Sequence, residues 1–336
     1  MEFCKRVRES AGDETVSAEA ETQLNILNNL AGVVEHFFIR EGRDAGIDGP
    51  YDAEIYRKPT LQSCQFTSTP TFIIGSRRSG TTLLAYLLNA SKNIFALPEN
   101  WLAGTIAEND SMIAVGRSLK RQLQEPFPRY LWRLARMCDE IYSEVAHANS
   151  KTRWVSKELF IPHRLDILDA MFDYRAQYLY AVRHGFDVAH SCCERFMVRD
   201  GVPFHHATSL GVETYLREWI ANNESTKDFY DRNRDRCIMV RYEDFVERPA
   251  HYGRRIFEFL GEEWDDGVLD RLGDQDLVGM GDNKILSLKG NIVRSESKWV
   301  SWPQELISTL GRLANPTLKR LGYETVSVND DLELIA

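Results

Sequence analysis

No stretch of the 336-residue chain approaches the ~18 consecutive apolar residues that a membrane-spanning helix needs. Met1 to Gly12 also lacks the apolar core of a secretory signal, so a cytoplasmic location is the expectation. The six cysteines, Cys4, Cys64, Cys138, Cys192, Cys193 and Cys237, include no CxxC pair, which argues against a metal site and for reduced thiols. A basic excess is missing too. With 41 Lys and Arg against 50 Asp and Glu, the formal net charge is −9, and nucleic acid is not an expected partner because counterion release needs a clustered cation surplus. Any anionic ligand must be held by a local basic site. Without internal repeats or low-complexity tracts, a repeat architecture is excluded.

What is present is an ordinary globular composition, 43% hydrophobic and 27% charged, over a length that fits one large α/β domain with appendages. Residues 1–69 read as a helical extension and linker. Leu24, Ile26, Leu27, Leu30, Val33, Val34 and Phe37 form an apolar stripe on one amphipathic helix from about Ser17 to Glu41. Gly42 to Pro70 is rich in Gly, Pro, Asp and Ser and reads as a connection over the surface. From residue 70 to about 325 short apolar runs alternate with helical segments, and residues 326–336 form a C-terminal tail. The runs Thr71–Ile74, Ile94–Leu97, Trp154–Ser156, Gln177–Val182 and Cys237–Val240 predict a parallel sheet covered by helices on both faces, a three-layer α/β fold. Between the second and third runs, Ala103 to His147 is long enough for two or three helices, a lid or substrate-facing insertion.

The segment Pro70-Thr-Phe-Ile-Ile-Gly-Ser-Arg-Arg-Ser-Gly-Thr-Thr-Leu-Leu-Ala-Tyr-Leu-Leu-Asn89 reads as a buried strand, a glycine-bounded loop and a helix starting near Gly80, a P-loop-type turn. Such a turn aims unsatisfied backbone N–H groups and the positive end of a helix dipole at one point, where an anion belongs. Gly75 and Gly80 keep the spacing of the nucleotide-triphosphatase pattern GxxxxGK[ST], but Thr81 stands where that pattern requires Lys. The cations lie inside the loop instead, at Arg77 and Arg78, and no apolar strand ending in Asp completes a magnesium site. The loop suits an anion handled without a metal. A nucleotide kinase or triphosphatase is the competing reading from the same fold class, and the residue at 81 discriminates against it.

The longer string Arg78-Ser-Gly-Thr-Thr-Leu83 resembles the 5′-phosphosulfate loop of the sulfotransferases that use 3′-phosphoadenosine 5′-phosphosulfate (PAPS). Gln177-Tyr-Leu-Tyr-Ala-Val-Arg183 and the helix to Ser191 are similar to that family's 3′-phosphate segment, with Arg183 and Ser191 at the matching places. Where the family has Arg-Asp-Pro, this chain has Arg183-His184-Gly185, a departure that spares the phosphate ligands. Arg183 at a strand end offers phosphate a planar fork, Ser191 adds a hydroxyl, and Arg195 stands one helical turn further. Met239 to Pro249 and Phe259 to Gly261 resemble a strand and helix of the bacterial and tyrosine-sulfating branch, which implies Tyr242 beside the nucleotide. Ser287 to Trp299 and Leu321-Gly-Tyr323 resemble the closing segment, where Lys289 or Lys298 folds over the cofactor, the choice between them being open. The likeness covers about Thr71 to Tyr323.

The resemblance also implies roles. Arg78 meets the charge developing on the 5′-phosphate that leaves as PAP, while Ser79, Gly80, Thr81 and Thr82 supply N–H and hydroxyl donors. Lys157, 26 positions before Arg183, matches a Lys that reaches the sulfonate in the tyrosine-sulfating relatives. Glu99, 21 positions after Arg78, matches their catalytic Glu and is the expected base. Cytosolic sulfotransferases place a base His where this chain has Leu159, which favours Glu99 over His163, His184, His205 and His206. The expected acceptor is a small molecule with a hydroxyl or amine, protein tyrosine being less favoured. A non-catalytic PAPS- or PAP-binding module is the alternative from another class. The sequence allows a homo-oligomer without specifying one.

Overall fold

The structure, a computed structural model, describes residues 65–97, 102–111, 113–115, 127–159, 162–197, 210–273, 292 and 297–328. The expected helix from Ser17 to Glu41, Glu99, Lys289, His205 and His206 lie outside the described residues.

Five strands, β1 (Thr71–Gly75), β2 (Ile94–Ala96), β3 (Arg153–Glu158), β4 (Gln177–Val182) and β5 (Cys237–Arg241), form one sheet in the order β2-β3-β1-β4-β5, every pair parallel. Each coincides with an expected apolar run to within two residues. Strands buried on both faces must be apolar on both faces, which is why they read as continuous runs. Phe72, Ile74, Trp154, Tyr178 and Tyr180 face one side, while Ile73, Val155, Leu179 and Ala181 face the other.

The second face is covered by α1 (Thr81–Asn89) and by α7 (Tyr242–Glu247) and α8 (Pro249–Leu260). Helix α1 is buried nearly all round, and its last residue, Asn89, exchanges two 2.9 Å hydrogen bonds with the backbone of Ala96 in β2. The first face carries α2 (Leu102–Glu108), α3 (Phe127–Ala148), α4 (Leu165–Met171), α5 (Gly185–Cys192), α6 (Leu210–Arg232) and α9 (Gln304–Arg320). Helix α3 falls in the expected insertion, yet it is a wall of the core and not a cover over it. Leu131, Ala135, Cys138, Tyr142 and Ala146 recur every three or four residues and are all buried. Tyr142 meets Trp154 edge-on at 5.0 Å, and Asp139 accepts from the Trp154 indole N–H at 2.8 Å. Burying a large side chain of this kind contributes roughly 1.5–3 kcal/mol, enough to hold α3 against the sheet.

At the amino edge of the sheet one arginine ties three strands together. Arg153 opens β3 and donates to Thr71 Oγ1 (2.9 Å) at the start of β1, to Gln177 Oε1 (2.6 Å) at the start of β4, and to the Leu260 carbonyl (2.7 Å) at the end of α8. Glu262 balances its charge at 3.2 Å. Among the described residues, no helix is long and apolar enough to cross a membrane. Cys138, Cys192, Cys193 and Cys237 are free and buried, and burial pushes the Cys192 thiol up to about 12.

Arg153→Met keeps an apolar stem but leaves Thr71 Oγ1, Gln177 Oε1 and the Leu260 carbonyl without their guanidinium donor. Urea denaturation should show a loss of about 3 kcal/mol; a change below ~1 kcal/mol would mean the strands hold their register without this tie.

Candidate active site

Strand β1 ends at Gly75, whose φ of +137° no side chain tolerates well. A Cβ there would lie 2.3 Å from the carbonyl oxygen of Ala181. The missing side chain lets the chain turn directly across the end of β4. The turn is closed by Ser79 N–H donating to the Ser76 carbonyl at 3.3 Å. Gly80, at φ +89°, precedes α1 and packs so closely on Tyr242 that a Cβ would stand 2.6 Å from the ring. Among the described residues no side chain caps the start of α1, which leaves its first-turn N–H groups open to an anion.

Arg78 sits in the left-handed region at φ +62°, which costs a non-glycine residue roughly 1–2 kcal/mol. Two hydrogen bonds, worth about 1 kcal/mol each, oppose that strain. Arg183 Nη1 donates to the Arg78 carbonyl at 3.2 Å, and Arg78 Nε donates to Ser191 Oγ at 3.0 Å. The phosphate loop and the strand–helix segment from Arg183 to Ser191 are thereby joined, though they lie a hundred residues apart. The Arg183 guanidinium lies 4.6 Å above the Tyr242 ring. Lys157, with no exposed surface, brings its Nζ to 3.3 Å from Thr82 Oγ1. Ser79 Oγ and Arg183 Nε are buried and find no hydrogen-bond partner among the described residues. Hydroxyl, guanidinium and ammonium groups gathered at the carboxyl edge of one parallel sheet, two of their polar atoms unsatisfied among the described residues, fit a phosphorylated anion.

Other expected residues stand apart from this cluster. Arg77 turns to Glu218 on α6 at 2.8 Å. Arg195 is exposed on the π-helical turn Cys193–Met197 that continues α5. Lys298 pairs with Glu194 at 2.5 Å, beside an open hollow of about 600 Å³ lined also by His190, Ser297 and Trp302. Burial, with Arg241 and Arg183 nearby, pulls the His184 pKa down to about 4, so the imidazole is neutral at physiological pH. It is stacked on Trp299 at 5.2 Å and 3°.

One titratable group in the vicinity was not expected. Glu158 follows Lys157 but faces the opposite side of β3, where it is 2% exposed and accepts from Ser156 Oγ at 2.9 Å and from the Gly104 backbone. Burial, opposed by these two hydrogen bonds and aided by Glu108, pushes its carboxyl up to about 7. Strict alternation along Arg153-Trp-Val-Ser-Lys-Glu158 was the available signal.

The family model described as the Sulfotransferase family matches residues 70–266, more than half of the chain. The chain belongs to the sulfotransferase family. The expectation raised by the Arg78 to Leu83 string is met at that level. The relatives include the protein-tyrosine sulfotransferase of Drosophila melanogaster, 25% identical over 75% of this chain and 51% of that protein, so this sulfotransferase spans about half of the fly protein. Protein-tyrosine sulfotransferase 1 of Danio rerio is 26% identical over 79% of this chain and 78% of its own length. The nodulation protein NoeE of Sinorhizobium fredii is 27% identical over 75% and 65%. In fold, the chain is similar to the sulfotransferase domain of the Synechococcus PCC 7002 olefin synthase, with a TM-score of 0.53 and 20% identity over 80% of this chain and 99% of that one. The sulfotransferase domain of the curacin biosynthetic pathway gives 0.52 and 21% over 77% and 99%.

Because the Glu158 pKa is raised from 4.5 to about 7 in the fold, the native state keeps a proton that the unfolded chain releases. Stability is therefore fully present below pH 4.5 and falls as pH rises through 7, by an amount on the order of 3 kcal/mol. Glu158→Gln should raise the urea midpoint at pH 8 and lose that advantage near pH 5. A pH-independent difference would contradict the assignment.

Proposed function

We propose that the chain transfers the sulfuryl group of PAPS to a hydroxyl or amine of a small-molecule acceptor. The observation that carries this reading is that Arg78 links Arg183 to Ser191 while Lys157 reaches Thr82 of the same loop, with Ser79 Oγ and Arg183 Nε buried and without a partner among the described residues. Two anion-binding segments joined in this way suit a ligand with phosphate at two ends. PAPS has them, and it supplies a sulfuryl group already activated by its bond to phosphate.

The loop residues Ser79, Gly80, Thr81 and Thr82 would hold the 5′ end through N–H and hydroxyl donors, and Arg78 would meet the charge that grows on the leaving phosphate. Lys157 would neutralise charge on the sulfonate. Its burial strengthens that interaction, since the same ammonium in water is screened by solvent. Arg183 and Ser191 would hold the 3′-phosphate, with Tyr242 packed between Gly80 and Arg183 at the nucleotide's edge. Arg77, Arg195 and one of Lys289 and Lys298 complete the proposed set, Arg77 by leaving Glu218 and Lys298, if it is the one, by leaving Glu194. Charge neutralisation is assigned to these cations, not to a metal ion.

Glu99 is the proposed base, reached through Pro98 from the carboxyl end of β2. The neutral His184 is confined by Trp299 and by Tyr323, which it meets edge-on at 5.4 Å, and this leaves it poorly suited to take a proton from an acceptor.

Incubation with PAPS and a metabolite extract, read by mass spectrometry, should reveal an acceptor that gains one sulfuryl group. Arg78→Ala and Glu99→Ala should each lower turnover by at least about a hundredfold. Glu99→Ala should leave PAP affinity near the wild-type value. A wild-type protein that labels nothing and binds no PAP would sink the enzyme reading, and a large loss of PAP affinity in Glu99→Ala would sink the base assignment.

A further inference from the structure

Helix α6 touches both halves of the anion site from behind. Trp219 Nε1 donates to the Arg183 carbonyl at 3.1 Å, and its ring lies so close to Gly185 that a Cβ there would meet it at 2.7 Å. One turn on, Asn223 is 1% exposed and fully engaged. Its Nδ2 donates to Ser76 Oγ and to the Trp219 carbonyl, both at 2.8 Å, and its Oδ1 accepts from Tyr180 OH at 2.8 Å. Glu218 on the same turn accepts from Arg77. A single rigid helix thus grips Ser76 and Arg77 in the phosphate loop and Arg183 and Gly185 in the other segment.

We infer that Asn223 is a positioning residue that sets the spacing between the phosphate loop and the Arg183 segment, so that one ligand can engage both. The inference rests on the PAPS reading above. Asparagine suits the place because two donors and an acceptor are needed in one plane, and all three are used. Ser76 is the first residue beyond β1 and accepts through its carbonyl from Ser79, so its placement governs the whole turn. Without Asn223 the loop would still be tied to Arg183 through the Arg78 carbonyl, but it could lean against β4. Each half-site would survive, and their separation would broaden. A ligand held at two ends loses more from such broadening than a ligand held at one.

The test compares three ligands on the full chain by calorimetry: PAP, with phosphate at both ends, and adenosine 5′-phosphate and adenosine 3′-phosphate, with one each. Asn223→Ala should weaken PAP about tenfold and each single-ended ligand less than about threefold. Ser76→Ala, which removes the same bond from the loop side and threatens the core less, should reproduce that pattern. The double variant should be no weaker than the worse single one. A parallel loss for all three ligands, or no loss for any, would overturn the positioning role while leaving the sulfotransferase reading intact. Failure of the wild type to bind PAP would instead remove the reading on which the inference stands.

Discussion

The site depends on how closely β1 and β4 pass one another where they end. Because Gly75 has no side chain to strike Ala181, the chain can fold over the end of β4 immediately on leaving β1, and the Arg78 carbonyl comes within reach of Arg183. A methyl group at that point would push the loop away from β4. The rest of the arrangement is topological. Strands β1, β3, β4 and β5 are parallel, so the loop, Lys157, Arg183 and Tyr242 all emerge at the same edge of one sheet. None of these groups needs a long excursion to meet the others.

An acidic chain can present a cationic site because burial sorts its charges. Lys157 and Arg183 are almost wholly enclosed, which costs each several kcal/mol of desolvation unless an anion lies beside them. Two nearby groups that would add to or cancel their field are shifted towards neutral forms. His184 loses its proton to burial and to the neighbouring arginines. Glu158, one residue from Lys157, is both turned to the other face of the strand and shifted towards its uncharged form. Two arginines outside the cluster are already matched: Arg77 faces Glu218, and Arg236 forms a 2.6 Å pair with Asp169. Local field and net charge are thereby decoupled.

Much of this was legible in the sequence where one physical demand acts on consecutive residues. A strand buried on both faces must be apolar throughout, so Thr71–Ile74 and Gln177–Val182 announced themselves. A tight turn into a helix needs glycines at fixed offsets, so Gly75 and Gly80 did too. Less could be read where the demand comes from residues remote in the chain. Asn223 lies in the middle of a helix beside another asparagine, and nothing local separates the one that meets Ser76 from its half-buried neighbour. Arg153 reads as an ordinary charge before a strand until Thr71 and Gln177 stand beside it. Arg77 and Arg78 are adjacent and chemically alike, and only the left-handed turn at Arg78 sends one towards Ser191 and the other towards Glu218. Ala103 to His147 likewise reads as a lid or substrate-facing insertion until Trp154 stands beside it, against which Tyr142 packs.

The strand order also has a consequence for how the molecule is made. Both neighbours of β1, the strands β3 and β4, come late in the chain, at Arg153 and Gln177, while β2 at Ile94 lies two places away across β3. A ribosome adding roughly 5–20 residues per second therefore leaves Phe72, Ile73 and Ile74 without their pairing partners for several seconds after they are synthesised. The central strand of the sheet is also the longest kept waiting, and during that interval its buried apolar residues stand to gain most from a chaperone.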